Sequence, residues 1–77
     1  MKQEKLNVIN GIKAELQKEI SNANFVINEM FEGLGVVCDT YPAWEDVKPK
    51  VERYLKNYKG ALVRVRYSDK AVLIMPL

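Results

Sequence analysis

The chain has 77 residues, of which 48% are hydrophobic and 29% are charged, and its net charge is +2. This length is typical of one small domain spanning residues 1–77, and the composition excludes a disordered chain. One cysteine and no histidine exclude an internal disulfide and disfavour a zinc site, so we expect no metal and no cofactor.

The beginning of the sequence, MKQEKLNVIN, lacks an apolar stretch of signal-peptide length, and no later stretch approaches a membrane span. We therefore expect a cytoplasmic protein without membrane contact. The positive charge is uneven, since residues 1–35 carry a net −1 and residues 36–77 carry +3. This excess is smaller than that of most nucleic-acid-binding domains.

The first segment, from Gln3 to Leu34, places apolar residues at intervals of three and four, which predicts an amphipathic helix. The stripe consists of Leu6, Ile9, Ile12, Leu16, Ile20, Ala23, Ile27, Met30 and Leu34. Gly11 weakens a helix interior, and Ser21–Asn24 gathers residues that prefer caps and turns. The segment is therefore either one long helix or two shorter ones, and we expect the glycines at 33 and 35 to end it.

The middle of the chain predicts a short strand at Val36–Cys38 and then a second amphipathic helix. This helix begins near Trp44 or Asp46 and ends near Tyr58. Pro49 is compatible with a helix only in its first turn, which favours the later start.

The C-terminal segment predicts a β-hairpin. Residues 61–67 alternate between apolar and polar or basic side chains, Ser68–Lys70 is a candidate turn, and Ala71–Met75 is wholly apolar. The order of elements predicts an α+β fold in which the helices pack on one face of a small antiparallel sheet.

The register of this hairpin depends on the length of its turn. A three-residue turn places Val63 and Val65 on one face with Leu73 and Met75, whereas a two-residue turn places them with Val72 and Ile74. In both cases the face that carries the arginines also receives apolar residues. We expect that face to be half covered, by a helix, by a second subunit or by a partner.

The leading functional hypothesis is a non-catalytic protein-binding module that inhibits or regulates a larger protein. Tyr and Trp are frequent interface anchors, although Trp44 also lies in register with the apolar arc of the second helix and fits a core position. The predicted binding residues are Tyr41, Trp44, Arg64, Arg66, Val72 and Ile74.

The alternative is a DNA-binding protein. A basic helix at 46–59 followed by a hairpin at 61–75 is similar in element order to winged-helix proteins, although no residue motif supports the similarity. Acidic residues interleave with the basic ones on the helix, which weakens phosphate attraction. The residues predicted for this function are Lys50, Arg53, Arg64, Arg66 and Lys70.

A third hypothesis is a small structural homodimer. An unbroken N-terminal helix of about 30 residues would be roughly 45 Å long and would extend beyond so small a domain, where it could pair with a second copy. Catalysis is not expected, because histidine, the commonest general base, is absent and no Gly-rich phosphate loop occurs. Cys38 fits a small buried hydrophobic residue.

Overall fold

The computed structural model describes all 77 residues and contains two helices and four strands. In chain order these are α1 (Gln3–Glu19), β1 (Asn24–Asn28), β2 (Gly33–Val37), α2 (Tyr41–Asn57), β3 (Val63–Ser68) and β4 (Ala71–Pro76). The two helices pack against one open, four-stranded antiparallel sheet. The predicted α+β class and the C-terminal hairpin are confirmed.

The strands follow the order β1-β2-β4-β3, so β2 and β4 are central and β1 and β3 form the edges. Asp69 and Lys70 alone connect β3 to β4, and Lys70 adopts a left-handed conformation with φ of 54°. Val65 consequently lies opposite Ile74, and Tyr67 opposite Val72. The two-residue alternative for the hairpin turn is therefore the correct one.

The expectation of helix as far as residue 34 is wrong beyond Glu19, where α1 ends. Residues 24–37 instead form the β1–β2 hairpin, in which Phe25 and Ile27 face the helices and Val26 faces away. Aromatic and β-branched residues in succession favour extended backbone, and this preference outweighs the helical spacing of the apolar stripe. The predicted strand at Val36–Cys38 corresponds to the end of β2.

The glycines expected to end the helix lie inside β2. A Cβ at Gly33 would come within 2.8 Å of the Ile74 carbonyl oxygen and of the Met75 side chain. Gly33 is therefore required by the close approach of β4 and not by a helix C-terminus.

The second helix begins at Tyr41, earlier than predicted, because Thr40 caps it. The Thr40 hydroxyl accepts a hydrogen bond from the Ala43 backbone N–H at 3.2 Å, and Pro42 lies in the first turn, where proline is favoured. The early start leaves Pro49 in the helix interior, contrary to expectation. Pro49 is exposed, so water can hydrate the Glu45 carbonyl that loses its N–H partner.

One hydrophobic core lies between the helices and the sheet. Its eleven buried residues are Ile9, Ile12, Leu16, Ile20, Leu34, Val36, Cys38, Val47, Val51, Val72 and Ile74. The apolar stripe of α1 is thus buried within its own chain. At 17 residues the helix is only about 26 Å long, so the overhang invoked for a helical homodimer is absent.

A structural repeat underlies this arrangement, although the sequence shows no recognisable repeat. The bounds of α2 are those of α1 displaced by 38 residues, and the same displacement takes Gly33, the first residue of β2, to Ala71, the first of β4. Gly35 and Leu73 are related by this displacement and also lie opposite each other. Two αββ units are therefore related by an approximate twofold axis between β2 and β4.

Truncation in β4 should distinguish its two faces. The Ile74 side chain is completely buried, so Ile74→Ala is expected to lower the free energy of unfolding by about 2–5 kcal/mol. Leu73→Ala, one residue away on the other face, should cost clearly less, because Leu73 is only half-buried. Urea unfolding of both variants measures the difference, and equal losses would contradict the assigned faces.

Candidate functional site

The face of the sheet opposite the helices carries no covering element. Both helices contribute to the core on one side, and the strand residues that alternate with the core residues point to the other side. The uncovered face consists of Asn24, Val26, Asn28, Gly33, Gly35, Val37, Ala71, Leu73, Met75, Arg64, Arg66 and Ser68. The expected internal cover for this face is therefore wrong.

The apolar part of the uncovered face lies on β1, β2 and β4. The side chains of Val26 and Val37 are 51% and 37% exposed, and Leu73 and Met75 are half-buried. Gly33 and Gly35 add backbone without side chains between them, so this part of the surface is low and open to a partner.

The basic part of the uncovered face lies on the edge strand β3. Arg64 lies opposite Met75, and Arg66 lies opposite Leu73. Neither arginine forms an ion pair, since the chain's two salt bridges join Lys5 to Glu32 and Lys50 to Asp46. No acidic residue occupies a strand position on this face. The surface thus combines an apolar centre with two unpaired positive charges along one edge.

Two of the predicted binding residues point the other way. Val72 and Ile74 are 1% and 0% exposed and belong to the core, because the two-residue turn aligns them with Tyr67 and Val65. Their placement beside the arginines is wrong. Leu73 and Met75 take that position, as the alternation along β4 indicates once the turn length is known.

Tyr41 lies at the start of α2, beside the β3–β4 turn. Its side chain is 55% exposed, and its hydroxyl donates a hydrogen bond to Asp69 Oδ1 at 2.7 Å. Lys70 Nζ lies 4.8 Å from the centre of the Tyr41 ring, in a cation–π arrangement. The hydrogen bond to Asp69 raises the pKa of Tyr41.

Trp44 is half-buried and packs on the helix side of the sheet. The centre of its ring lies 6.4 Å from that of Tyr67, which also faces the helices and carries Lys48 Nζ at 5.3 Å. Trp44 belongs to the side chains that surround the core, as its register along the helix indicates. The structure therefore does not bring Tyr41 and Trp44 onto the face that carries the arginines.

The basic residues of the DNA-binding hypothesis are also dispersed. Lys50 lies on α2 and donates to Asp46 Oδ2 at 3.2 Å and to the Glu19 carbonyl oxygen at 3.5 Å. Arg53 lines a groove between the helices that Glu15 also lines. These residues lie on the helix side of the sheet, whereas Arg64 and Arg66 lie on the uncovered side, and Lys70 is at the turn. The five residues form no single patch.

Comparison with known proteins gives no relative. No protein-family model, no curated protein and no solved structure matches the chain. The uncovered face must therefore be interpreted from its own residues.

Val26 and Val37 are the residues of this face that sequence reasoning missed. The helical interpretation of residues 3–34 hid Val26, and without the β1–β2 pairing Val37 had no assigned face. The available signal was the run Phe25–Ile27, whose residue types favour a strand over a helix.

Other parts of the molecule offer little chemistry. Cys38 is free and buried, and burial followed by the charges of Asp39 and Asp46 raises the pKa of its thiol, which disfavours the reactive thiolate. No group of three or more Cys, Asp or Glu side chains is arranged to hold a metal ion, and no helix is long and apolar enough to cross a membrane.

A groove of about 530 Å³ lies between the C-terminal halves of the helices. Tyr54 donates to Glu15 Oε1 there at 2.6 Å, and burial followed by this bond raises the pKa of Tyr54. The groove also contains Glu19, Arg53 and Lys59, so its charges balance and favour neither an anion nor a cation.

The Tyr41–Asp69 contact predicts a measurable titration. Asp69→Asn removes the carboxylate that accepts the Tyr41 hydroxyl proton, so the Tyr41 pKa should fall towards its ordinary value of about 10. Tyr67 is the matched control, because burial and then Glu52 raise its pKa. NMR titration of the tyrosine rings measures both midpoints.

The sign of the accompanying stability change follows from linkage. Because the folded-state pKa of Tyr41 is raised, its contribution to stability is complete below about pH 10 and is lost as the pH rises through the folded-state value. An unchanged Tyr41 midpoint in Asp69→Asn would contradict this assignment.

Proposed function

We propose that this protein is a non-catalytic protein-binding module that inhibits or regulates a larger protein by covering part of its surface. The observation that carries the proposal is the uncovered face of the sheet, in which an apolar centre borders two unpaired arginines. Contiguous exposed apolar surface with a polar rim is typical of interaction sites. We place this activity in the cytoplasm, in keeping with one free, buried cysteine.

The chemistry of the face defines the partner. Val26, Val37 and Leu73 require an apolar protein surface, because only such a surface removes their exposed area from water favourably. Arg64 and Arg66 require carboxylates beside that surface, since arginine binds carboxylates in a planar, bidentate geometry. The proposed partner therefore presents an apolar patch bordered on one side by Asp or Glu.

Nucleic acid is the competing occupant, and two observations disfavour it. Proteins that bind single strands on a sheet stack the bases on aromatic side chains, and no strand position on the uncovered face is aromatic. The other basic residues of that hypothesis, including Lys50 and Arg53, lie on the opposite side of the sheet and cannot contact the same phosphate backbone segment. A protein surface fits the face better.

Tyr41 stays a predicted contact of a second, separate kind. It lies at the end of the sheet and half of its side chain remains exposed, so a partner that extends past the β3–β4 turn would reach it. Trp44 is not part of the proposed surface, because its ring packs against Tyr67.

Capture from a lysate of the source organism, with and without nuclease, tests the proposal. The tagged wild-type chain should retain a protein partner after nuclease treatment. The double variant Arg64→Glu, Arg66→Glu should lose at least about tenfold in affinity for that partner, which corresponds to about 1.4 kcal/mol. Leu73→Ser should weaken binding without a change in charge.

The matched control is the double reversal Lys48→Glu, Lys56→Glu on α2, which makes the same change in net charge on the helix side of the sheet. This control should retain the partner. A capture that disappears with nuclease, or that the control and the arginine reversal weaken equally, would show that the uncovered face is not a protein-binding site.

A further inference from the structure

We infer that the edge strand β1 pairs with β1 of a second copy of this chain, giving a homodimer with one continuous eight-stranded sheet. Four strands from each copy would contribute, and the twofold axis would lie perpendicular to the sheet at Val26. This interface is distinct from the face assigned to a partner above and does not depend on it.

The backbone of β1 is available for pairing. β1 has a strand neighbour on one side only, and none of the backbone hydrogen bonds outside the helices and strands begins or ends in it. Every second residue therefore directs an N–H and a C=O away from β2. Helix α1 contacts β2 and β4, the central strands, which leaves this edge open.

The sequence of β1, Asn-Phe-Val-Ile-Asn, contains none of the devices that protect an edge strand. Natural edges are commonly guarded by charges, proline or bulges, because an unguarded edge is a template for another chain. β1 carries no charge, no proline and no glycine, and its five residues pair with β2 in an uninterrupted register.

The strand is also complementary to itself. In an antiparallel pair centred on Val26, that valine lies opposite its own copy, Phe25 lies opposite Ile27, and Asn24 lies opposite Asn28. Val26 is 51% exposed in the single chain, and Phe25 and Ile27 are half-buried, so the pairing covers apolar surface on both faces of the sheet. Aromatic and β-branched residues are favourable cross-strand neighbours.

The other edge excludes the same arrangement. In antiparallel pairs of β3 with itself centred on Arg64, Val65 or Arg66, an arginine lies opposite an arginine, and like charges in that position destabilise pairing. The structural repeat makes the contrast direct, since a displacement of 38 residues takes Val26 to Arg64 and Asn28 to Arg66. Assembly through β1 therefore stops at a closed dimer, because each dimer presents only β3 edges.

Measurement of molar mass by light scattering over a series of concentrations tests the inference. The wild-type chain should approach twice its mass of 8.9 kDa as the concentration rises. Val26→Lys and Val26→Glu should each remain monomeric, because each places two like charges at the twofold axis. An equimolar mixture of the two variants should recover the doubled mass, since lysine then lies opposite glutamate.

The matched control is Val37→Lys, which adds the same charge to the same face but on the central strand β2. It should dimerise as the wild type does. A wild-type chain that stays monomeric at its highest soluble concentration, a mass above that of a dimer, or a mixture that fails to recover the doubled mass would overturn the inference.

A second measurement covers the case in which the Val26 variants do not fold. Hydrogen exchange of the wild-type chain, followed residue by residue, should show that protection of the amides of β1 rises with protein concentration. Protection in β3 should stay constant. Equal behaviour of the two edges would overturn the inference without any substitution.

Discussion

The pairing of β2 with β4 is the interaction on which the rest of the structure depends. It places Leu34 opposite Ile74 and Val36 opposite Val72, and all four side chains are at most 1% exposed. Each αββ unit alone would expose these residues, because one helix and two strands cannot enclose them. The two halves of the chain therefore stabilise each other across the approximate twofold axis, and Gly33 permits the close approach of the strands.

The size of the chain explains why one face of the sheet remains open. The two helices are each 17 residues long and lie on the same side, and the connections that remain are too short to form a third layer. A small chain that covers only one face must leave apolar residues of the central strands on the other. The hydrophobic fraction of 48% is high for a core of eleven residues, and part of the excess is Val26, Val37, Leu73 and Met75.

The sequence predicted the elements whose local signals agree with their surroundings. The hairpin at the C-terminus was recognisable because Arg64 and Arg66 alternate with valines, and α2 because its apolar residues keep one period. Residues 20–34 were misinterpreted because Ile20, Ile27 and Leu34 fit helical spacing equally well, and the deciding contact, β2 with β4, joins residues about 40 positions apart. Such distant pairing leaves no local signal, so the same missing contact concealed Val26 and Val37.

The arginines of β3 have two physical consequences that follow from one position. Because Arg64 and Arg66 lie on an edge strand and face away from the helices, they prevent that edge from pairing with itself and also supply the positive border of the uncovered face. The equivalent positions on β1 carry Val26 and Asn28, so the same architecture is neutral and self-complementary at its other edge. In a dimer through β1, the apolar surfaces of both copies would join at the centre and the four arginines would lie at the two outer edges. A partner would then meet an apolar surface with positive charge on both sides, and carboxylates at the two ends of its own surface would fix its orientation.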